Sequence, residues 1–185
     1  MELLATLRTQ ARANRLANHR LHAAMAALSD AEYLARRTGF FPSLASTLEH
    51  LLAVDRYYLG ALHGDADMAA QWEASPRGVA LAALASAQAV ADERFIAHVD
   101  ALSAAGLDET VAMDRGEGRI QSDLRGHVIA HLLAHQVHHR GQVHAMLSGT
   151  ALKPPPLDEF LMPSEAHFRV AELQALGWSE ATLFG

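Results

Sequence analysis

The segment HVIAHLLAHQVHHRGQVH, residues 127–144, contains six of the 12 histidines in this chain of 185 residues. Apolar residues surround these histidines, so the segment is predicted to form a helix that is buried over a broad arc. Buried imidazoles need partners, because an unpaired polar group costs free energy in an apolar environment. The fold must therefore bring several of these histidines to other polar groups or to a metal ion in its interior.

The spacing of these histidines favours a metal ion. His131, His135 and His139 recur every four residues. An α-helix turns about 100° per residue, so each step of four residues returns to nearly the same face about 6 Å further along. Two imidazoles one turn apart can chelate one ion, and neutral histidine is a common ligand of zinc, nickel, copper and ferrous iron. The other ligands must come from elsewhere in the fold.

The composition narrows the chemistry and the partners. The chain has no cysteine, which leaves histidine and carboxylate as its strong metal ligands and suits a reducing cytoplasm. A formal net charge of −6 disfavours nucleic-acid binding. No apolar run approaches the roughly 20 residues that span a bilayer, and charges near the N-terminus come too early for a secretory signal. We therefore expect a cytoplasmic protein that binds neither nucleic acid nor membrane.

The fold class follows from alanine- and leucine-rich segments that prolines separate. We predict an all-α four-helix bundle that forms a single domain over residues 1–185. Ser43 is predicted to cap the second helix, and Gly64 to end it. The four helices are expected at about residues 2–28, 43–63, 78–105 and 122–149.

Two further segments complete the predicted fold. The sequence TVAMDRGEGRIQS, between helices three and four, predicts a small β-hairpin because two glycines separate two short β-capable pieces. The tail, residues 150–185, starts with an extended stretch through Pro154, Pro155 and Pro156. The rest of the tail is too apolar to be disordered, so it is expected to pack on the bundle or on a partner.

A third metal ligand is sought on the other helices, because metal sites in bundles form where side chains of facing helices converge. His50 is the best placed candidate, since it lies in mid-helix on a stripe with Thr47 and Val54. The other candidates are expected at the solvent edge, at a helix end beside Gly64, or at the boundary of the core. They are His19, His22, His63 and His98.

Four blocks of sequence together resemble the DinB/YfiT-like family of metal-dependent four-helix-bundle proteins. The most specific block is H-x-x-H-H-R-G-Q, here residues 135–142, with an upstream L-x-H-L-L-x-x-D, here residues 48–55. Position by position, the resemblance implies that His50, His135 and His139 hold the metal. It covers most of the chain, and its blocks are RANRLANHRLHAAMAALSDAEY, TGFFPSLASTLEHLLAVDRYYL, HLLAHQVHHRGQVHAML and LKPPPLDEF.

The residues beside these ligands leave alternatives open. His138 either forms a competing chelate with His135 or supports the ligands from outside the coordination sphere. His131 is such a supporting residue, lines the pocket, accepts a proton, or is a packed core residue. Arg140 is expected in an interhelical ion pair. Gly141 suggests close approach of another helix, and Gln142 either orients a ligand or satisfies the backbone.

Three protein ligands leave coordination positions open, which is typical of catalytic metal sites. Zinc or nickel is expected first and iron next. The resemblance implies a stress-response or detoxification enzyme that transfers a low-molecular-weight thiol to an electrophilic small molecule, and it also favours a homodimer. The alternatives are a hydrolase that uses Tyr57, Tyr58 or Glu49 for proton transfer, and a non-catalytic metal- or ligand-binding module.

Overall fold

The computed structural model describes residues 2–73, 75, 77–158 and 161–184. The chain has four long helices, four short helices, two 3-10 helices and one hairpin in this described part. The long helices are α1 (Leu3–Met25), α3 (Leu44–His63), α5 (Leu81–Ala101) and α6 (Arg125–Leu147). The short helices are α2 (Asp30–Leu34), α4 (Met68–Glu73), α7 (Val170–Leu176) and α8 (Glu180–Phe184), and the 3-10 helices are Ala105–Asp108 and Pro163–Phe168.

The four long helices form the predicted bundle. Helix α1 packs on α5 and α6, and α3 packs on α5 and α6. The apolar side chains between them are fully buried, among them Leu21, Leu44, Leu84 and Ile129. The all-α fold with a small hairpin is thus confirmed, and the packing of α3 on α6 is what positions the histidines.

Helix α3 begins and ends as the sequence predicts. The Ser43 side chain accepts a hydrogen bond from the Ser46 backbone N–H, and the Ser46 side chain accepts one from the Ser43 backbone N–H. This reciprocal capping box satisfies two backbone donors that would otherwise lack partners. Gly64 ends the helix with a φ of 71°, a left-handed conformation that favours glycine. The helix that carries His50 is therefore fixed at both ends.

The ends of three predicted helices differ from the observed ones. Helix α1 stops at Met25, and Ser29 starts α2 by accepting a hydrogen bond from the Glu32 backbone N–H. Helix α5 spans Leu81–Ala101 rather than residues 78–105, because a separate 3-10 helix follows it. Helix α6 starts at Arg125 rather than at residue 122, because the preceding residues are hydrogen-bonded in a strand.

The hairpin consists of the antiparallel strands β1 (Thr110–Asp114) and β2 (Ile120–Leu124), paired from Thr110 with Leu124 to Asp114 with Ile120. Its turn contains Gly116 and Gly118, which have φ values of 77° and 73°. Both glycines supply the left-handed conformation that a tight turn needs. The hairpin contacts α3, α4 and α6, so it lies beside the histidine helix.

The C-terminal tail packs on the bundle, as expected. Leu173 and Leu183 are buried against Ala13, Leu16 and Ala17 of α1. The Arg20 and Glu172 side chains form an ion pair at 2.6 Å, and Arg169 and Glu180 form another at 2.6 Å. Glu159 and Phe160, which close the block LKPPPLDEF, lie outside the described residues.

None of the helices in the described ranges combines the length and the apolar character that a membrane span requires.

Candidate metal centre

Helices α3 and α6 bring three histidines together. His50 comes from α3, and His135 and His139 lie one turn apart on α6. The Nε2 atoms of His50 and His135 are 3.1 Å apart. One nitrogen from each of the three rings lies within 4.8 Å of the others. His139 is buried and the other two are half-buried, so the cluster lies at the edge of the core and not on the open surface.

The cluster could hold a metal ion. Nitrogen ligands bonded at ~2.0–2.1 Å in a tetrahedral site lie about 3.3 Å apart, so small ring movements are sufficient. Burial, followed by repulsion from His139, lowers the pKa of His50 to about 4. Burial and the neighbouring histidines lower the pKa of His135 to about 3. Both imidazoles are therefore neutral near pH 7, which is the state that binds metal.

The structure separates this trio from the competing chelate. The His138 side chain is exposed, and its Nε2 lies 3.0 Å from Gln142 Nε2, away from the cluster. The group of three converging ligand atoms contains His139 and not His138. The assignment of His50, His135 and His139 as metal ligands stays a prediction, and their geometry is compatible with it.

The remaining histidines of α6 do not belong to the group of three converging ligand atoms. His131 is exposed, with its ring centroid 5.1 Å from that of Tyr58 and 6.2 Å from that of His135. His127 is exposed, and His144 Nε2 donates to the Pro155 carbonyl at 3.0 Å. His131 therefore stands beside the candidate ligands, where it could exchange protons with a bound molecule, and it is not a packed core residue.

Two aromatic residues that the sequence analysis did not single out cover the cluster. The Phe41 ring centroid lies 4.4 Å from that of His50 and 5.6 Å from that of His139. The Trp72 ring, on α4, meets His50 edge-on at 6.2 Å. The sequence Phe40-Phe41-Pro42 just before the Ser43 cap could have indicated Phe41, since the chain must turn there. Trp72 follows no comparable pattern.

Two cavities adjoin the cluster, with Trp72 and Glu73 of α4 lining both. The first, of about 280 Å³, reaches His135 and His131 and is walled by the hairpin turn and the aromatic residues of α3. The second, of about 550 Å³, reaches His50 beside Phe41. Candidate ligands thus face two separate spaces in which small molecules can bind.

The proposed proton-transfer groups have different surroundings. The Tyr57 hydroxyl donates to the Asp114 carbonyl at 2.5 Å, and Glu49 Oε1 accepts from the Val79 backbone N–H at 2.8 Å. Tyr58 lines the first cavity, where its hydroxyl accepts from Arg115 Nη2 at 3.3 Å. Tyr57 lines the same cavity, and Arg115 interacts with the side chains of both tyrosines.

A buried polar network lies beneath the cluster. Asp55 Oδ2 accepts hydrogen bonds from Gln88 and from Gln136, and Gln88 also donates to Asp92. Burial raises the pKa of Asp55 to about 6. Burial, and then repulsion from Asp55, raises the pKa of Asp92 to about 8. Two carboxyl groups in one dry site cannot easily ionise together, so this pair holds a proton at neutral pH.

Arg140 belongs to this network, and among the described residues it does not form the ion pair predicted for it. Its Nη1 donates to the amide oxygens of Asn14, Asn18 and Gln136. The same Asn14 and Asn18 side chains donate to Asp92. Among the described residues, amide side chains therefore link the guanidinium to the carboxyl group in place of a direct ion pair. Burial lowers the pKa of Arg140 to about 10, opposed by Asp92 and Asp55.

Two other expectations are wrong. A Cβ atom added to Gly141 would meet nothing within 4 Å, and the residue is exposed, so it does not mark a close helix approach. His22 is buried and not at the solvent edge, and its Nδ1 has no hydrogen-bond partner among the described residues. His63 accords with its expected helix-end position, since its Nδ1 donates to the Leu59 carbonyl at 2.7 Å.

The comparisons with known proteins give one family. The DinB family model matches residues 4–172. None of the curated proteins matches the chain.

Proposed function

Because this chain belongs to the DinB family, we propose that it is a divalent-metal-dependent enzyme of stress response or detoxification. Its ion would be held by His50, His135 and His139. The observation that carries the proposal is the convergence of these three imidazoles between two cavities. Three nitrogen ligands leave room for a fourth, exogenous ligand, as in catalytic sites. Zinc or nickel fits this donor set best, and ferrous iron is the next choice.

The reaction we propose is transfer of a low-molecular-weight thiol to an electrophilic small molecule. A bound cation supplies the nucleophile that this cysteine-free chain lacks, by lowering the pKa of the thiol. A transfer reaction needs two bound partners, and two cavities adjoin the three histidines. Phe41 and Trp72 shield the cluster from bulk water, which protects a reactive nucleophile from side reactions.

Hydrolysis is the second candidate, and the position of Tyr58 and His131 favours it. Both residues line the cavity that reaches His135, and their rings are 5.1 Å apart. A phenol and an imidazole at that position could deliver or accept a proton during attack by water. The same two residues could serve thiol transfer, so the substrate screen must include esters and amides beside electrophiles.

Metal content tests the site directly. Protein purified without a nickel column should contain one divalent ion per chain by elemental analysis. Single replacements His50→Ala, His135→Ala and His139→Ala should each remove it, because two remaining ligands bind weakly. His138→Ala and His127→Ala are matched controls on α6 and should keep it. Retention of stoichiometric metal by all three ligand variants would overturn the assignment.

Activity is tested by a conjugation screen with glutathione, bacillithiol and mycothiol against electrophiles, run with metal-loaded and chelator-treated protein. Thiol consumption should require both the metal and His135. The same metal requirement for ester hydrolysis, without thiol consumption, would favour the second candidate. Neither activity in metal-loaded protein would leave a non-catalytic metal- or ligand-binding module.

Metal removal also separates a catalytic ion from a structural one. The bundle core is built from apolar side chains and does not depend on the three histidines, so chelation should leave the protein folded. The expected result is a small change in the melting temperature with complete loss of activity. A large loss of stability on chelation would assign the ion a structural role.

The homodimer stays a proposal of the same kind. Exposed apolar side chains support it, since Val137 on α6 is 64% exposed and Phe168 in the tail is 50% exposed. Light scattering coupled to gel filtration would give the mass in solution, and a monomeric mass at micromolar concentration would remove the proposal. The cytoplasmic location is likewise a prediction.

A further inference from the structure

The cavity beside His135 is lined by Arg115, whose guanidinium is paired with no carboxylate among the described residues. We propose that Arg115 in this cavity binds the carboxylate of a small, flat organic acid. This inference rests on the proposed function only for the role of that acid, which would be the substrate or its analogue. The binding itself depends on residues outside the three histidines.

Arg115 is placed at the start of the hairpin turn, with its guanidinium over the aromatic wall of α3. The Cζ atom lies 5.3 Å from the Tyr57 ring centroid and 5.6 Å from that of Tyr58. Its Nε donates to Gln121 Oε1 at 3.0 Å across the hairpin, and Nη2 donates to the Tyr58 hydroxyl. These neutral contacts hold the side chain in a defined, half-buried position.

The partners of Arg115 do not include a carboxylate in the part of the chain that the structure describes. Six other arginines differ in this respect, because each forms an ion pair: Arg12, Arg15, Arg20, Arg94, Arg125 and Arg169. A partly desolvated guanidinium binds an anion more strongly than one in open water, and its planar donors match a carboxylate. Arg115 is therefore prepared for an anion that comes from outside the chain.

Two acidic residues line the same cavity, but neither neutralises Arg115. Asp114 Oδ1 accepts a hydrogen bond from the Gly116 backbone N–H at 2.8 Å, so the carboxylate is used within the turn. Glu73 is exposed at the end of α4, where the rim of the cavity meets solvent. Both therefore leave the guanidinium available.

The shape of the cavity selects the rest of the ligand. Its walls include Tyr57, Tyr58, Trp72 and the His131 imidazole. Aromatic faces favour a flat, unsaturated ligand that stacks on them. The volume of about 280 Å³ is near the lower end for small-molecule sites, which indicates a molecule of about one ring. With its carboxylate on Arg115, such a molecule would share the cavity with His135, which also lines it.

Three isosteric probes test the inference by calorimetric titration: benzoate, its neutral analogue benzamide, and the cation benzylamine. Benzoate should bind at least about tenfold more tightly than benzamide, since a hydrogen-bonded charge pair is worth that much. Arg115→Gln should abolish this preference. Arg119→Gln removes an exposed arginine from the same turn and should preserve it. Arg115→Lys, which keeps the cation, should retain part of it and guards against a folding defect in Arg115→Gln.

The titrations are run on metal-loaded and on chelator-treated protein, because a carboxylate can also bind a metal. A benzoate preference in both forms supports the Arg115 site. A preference that disappears on chelation, an equal affinity for benzamide, tighter binding of benzylamine, or an unchanged preference in Arg115→Gln would overturn it. Failure of the proposed function would appear elsewhere, as absence of bound metal or of metal-dependent turnover, with the benzoate preference intact.

Discussion

His139 donates a hydrogen bond from Nδ1 to Gln142 Oε1 at 2.8 Å, one helical turn further along α6. Because the amide oxygen can only accept, the proton of the neutral ring lies on Nδ1, and the lone pair lies on Nε2. The glutamine thereby fixes both the tautomer and the orientation of a candidate ligand.

Loss of this hydrogen bond should weaken metal binding. We expect Gln142→Leu to reduce metal affinity by about 10- to 100-fold, the usual effect of removing the partner of a ligand histidine. Competition with a chelating indicator dye measures the affinity. His138→Ala is the control, because it removes the other side chain that contacts Gln142 and should leave affinity unchanged. Equal affinities for Gln142→Leu and the wild-type protein would show that the ring is held by packing alone.

Because the buried carboxyl pair holds a proton, the free energy of unfolding should fall as the pH rises toward alkaline values. The pKa of Asp92 is raised to about 8 by burial and by Asp55, whereas an unfolded aspartate titrates near 4. Between these values the folded protein binds a proton that the unfolded chain has released, so stability falls as the pH rises through this range. Asp92→Asn cannot ionise and should flatten that dependence.

Urea unfolding at pH 6 to 9 measures this effect. Between these limits wild-type protein should lose at least about 1 kcal/mol more than Asp92→Asn, because one pKa unit corresponds to about 1.4 kcal/mol. Asp108→Asn removes an exposed carboxylate and is the control. It should leave the pH dependence of the unfolding free energy unchanged. Parallel curves for wild type and Asp92→Asn would mean that Asp92 is ionised in the folded protein.

A second pH dependence is expected on the acid side. Burial, with Arg15 and His19 adding repulsion, lowers the pKa of His22 to about 4 from 6.5. The unfolded chain therefore takes up a proton near pH 6.5 that the folded protein accepts only near pH 4, and stability is lost as the pH falls between these values.

His22→Gln should make that acid slope shallower, by up to about 1.4 kcal/mol per pH unit, which is the contribution of one proton. Unfolding measured at pH 4.5 to 7 in metal-free protein gives the slope. The exposed His127→Gln should keep the wild-type slope. An unchanged slope in His22→Gln would show that His22 titrates alike in the folded and unfolded states.

A substitution at Gly141 is expected to stabilise the protein. The glycine lies inside α6 with open space around the position of a Cβ atom, so Gly141→Ala should stabilise the protein by roughly 0.5–1 kcal/mol. Gly60→Ala in α3 is the matched control, since its Cβ would lie 3.3 Å from Met68 Cγ and crowding offsets the gain. Chemical unfolding of both variants measures the change in the free energy of unfolding. Destabilisation by Gly141→Ala would contradict the prediction.

The fold and the histidine trio were predictable because their signals are local or periodic. Helical spacing places His135 and His139 on one face, and the motif around His50 supplies the third ring. The contacts of Arg140 and the burial of His22 were not predictable, since both depend on which helix lies opposite. Trp72 lies on a six-residue helix too short to leave a periodic pattern. The start of α6 was missed because strand pairing with Thr110–Asp114 competes with helix propensity there.

The polar network also determines how the helices can assemble. Leucine and alanine side chains tolerate many relative positions of two helices, because apolar contacts have little directionality. Arg140 reaches Asn14 and Asn18 of α1 in one alignment. If α6 slid by one turn, the buried guanidinium would lose its two acceptors on α1, a penalty of several kcal/mol. The hydrogen bonds of Arg140 thus fix the axial position of α6 relative to α1. They thereby also fix the height at which the two histidines of α6 face α3.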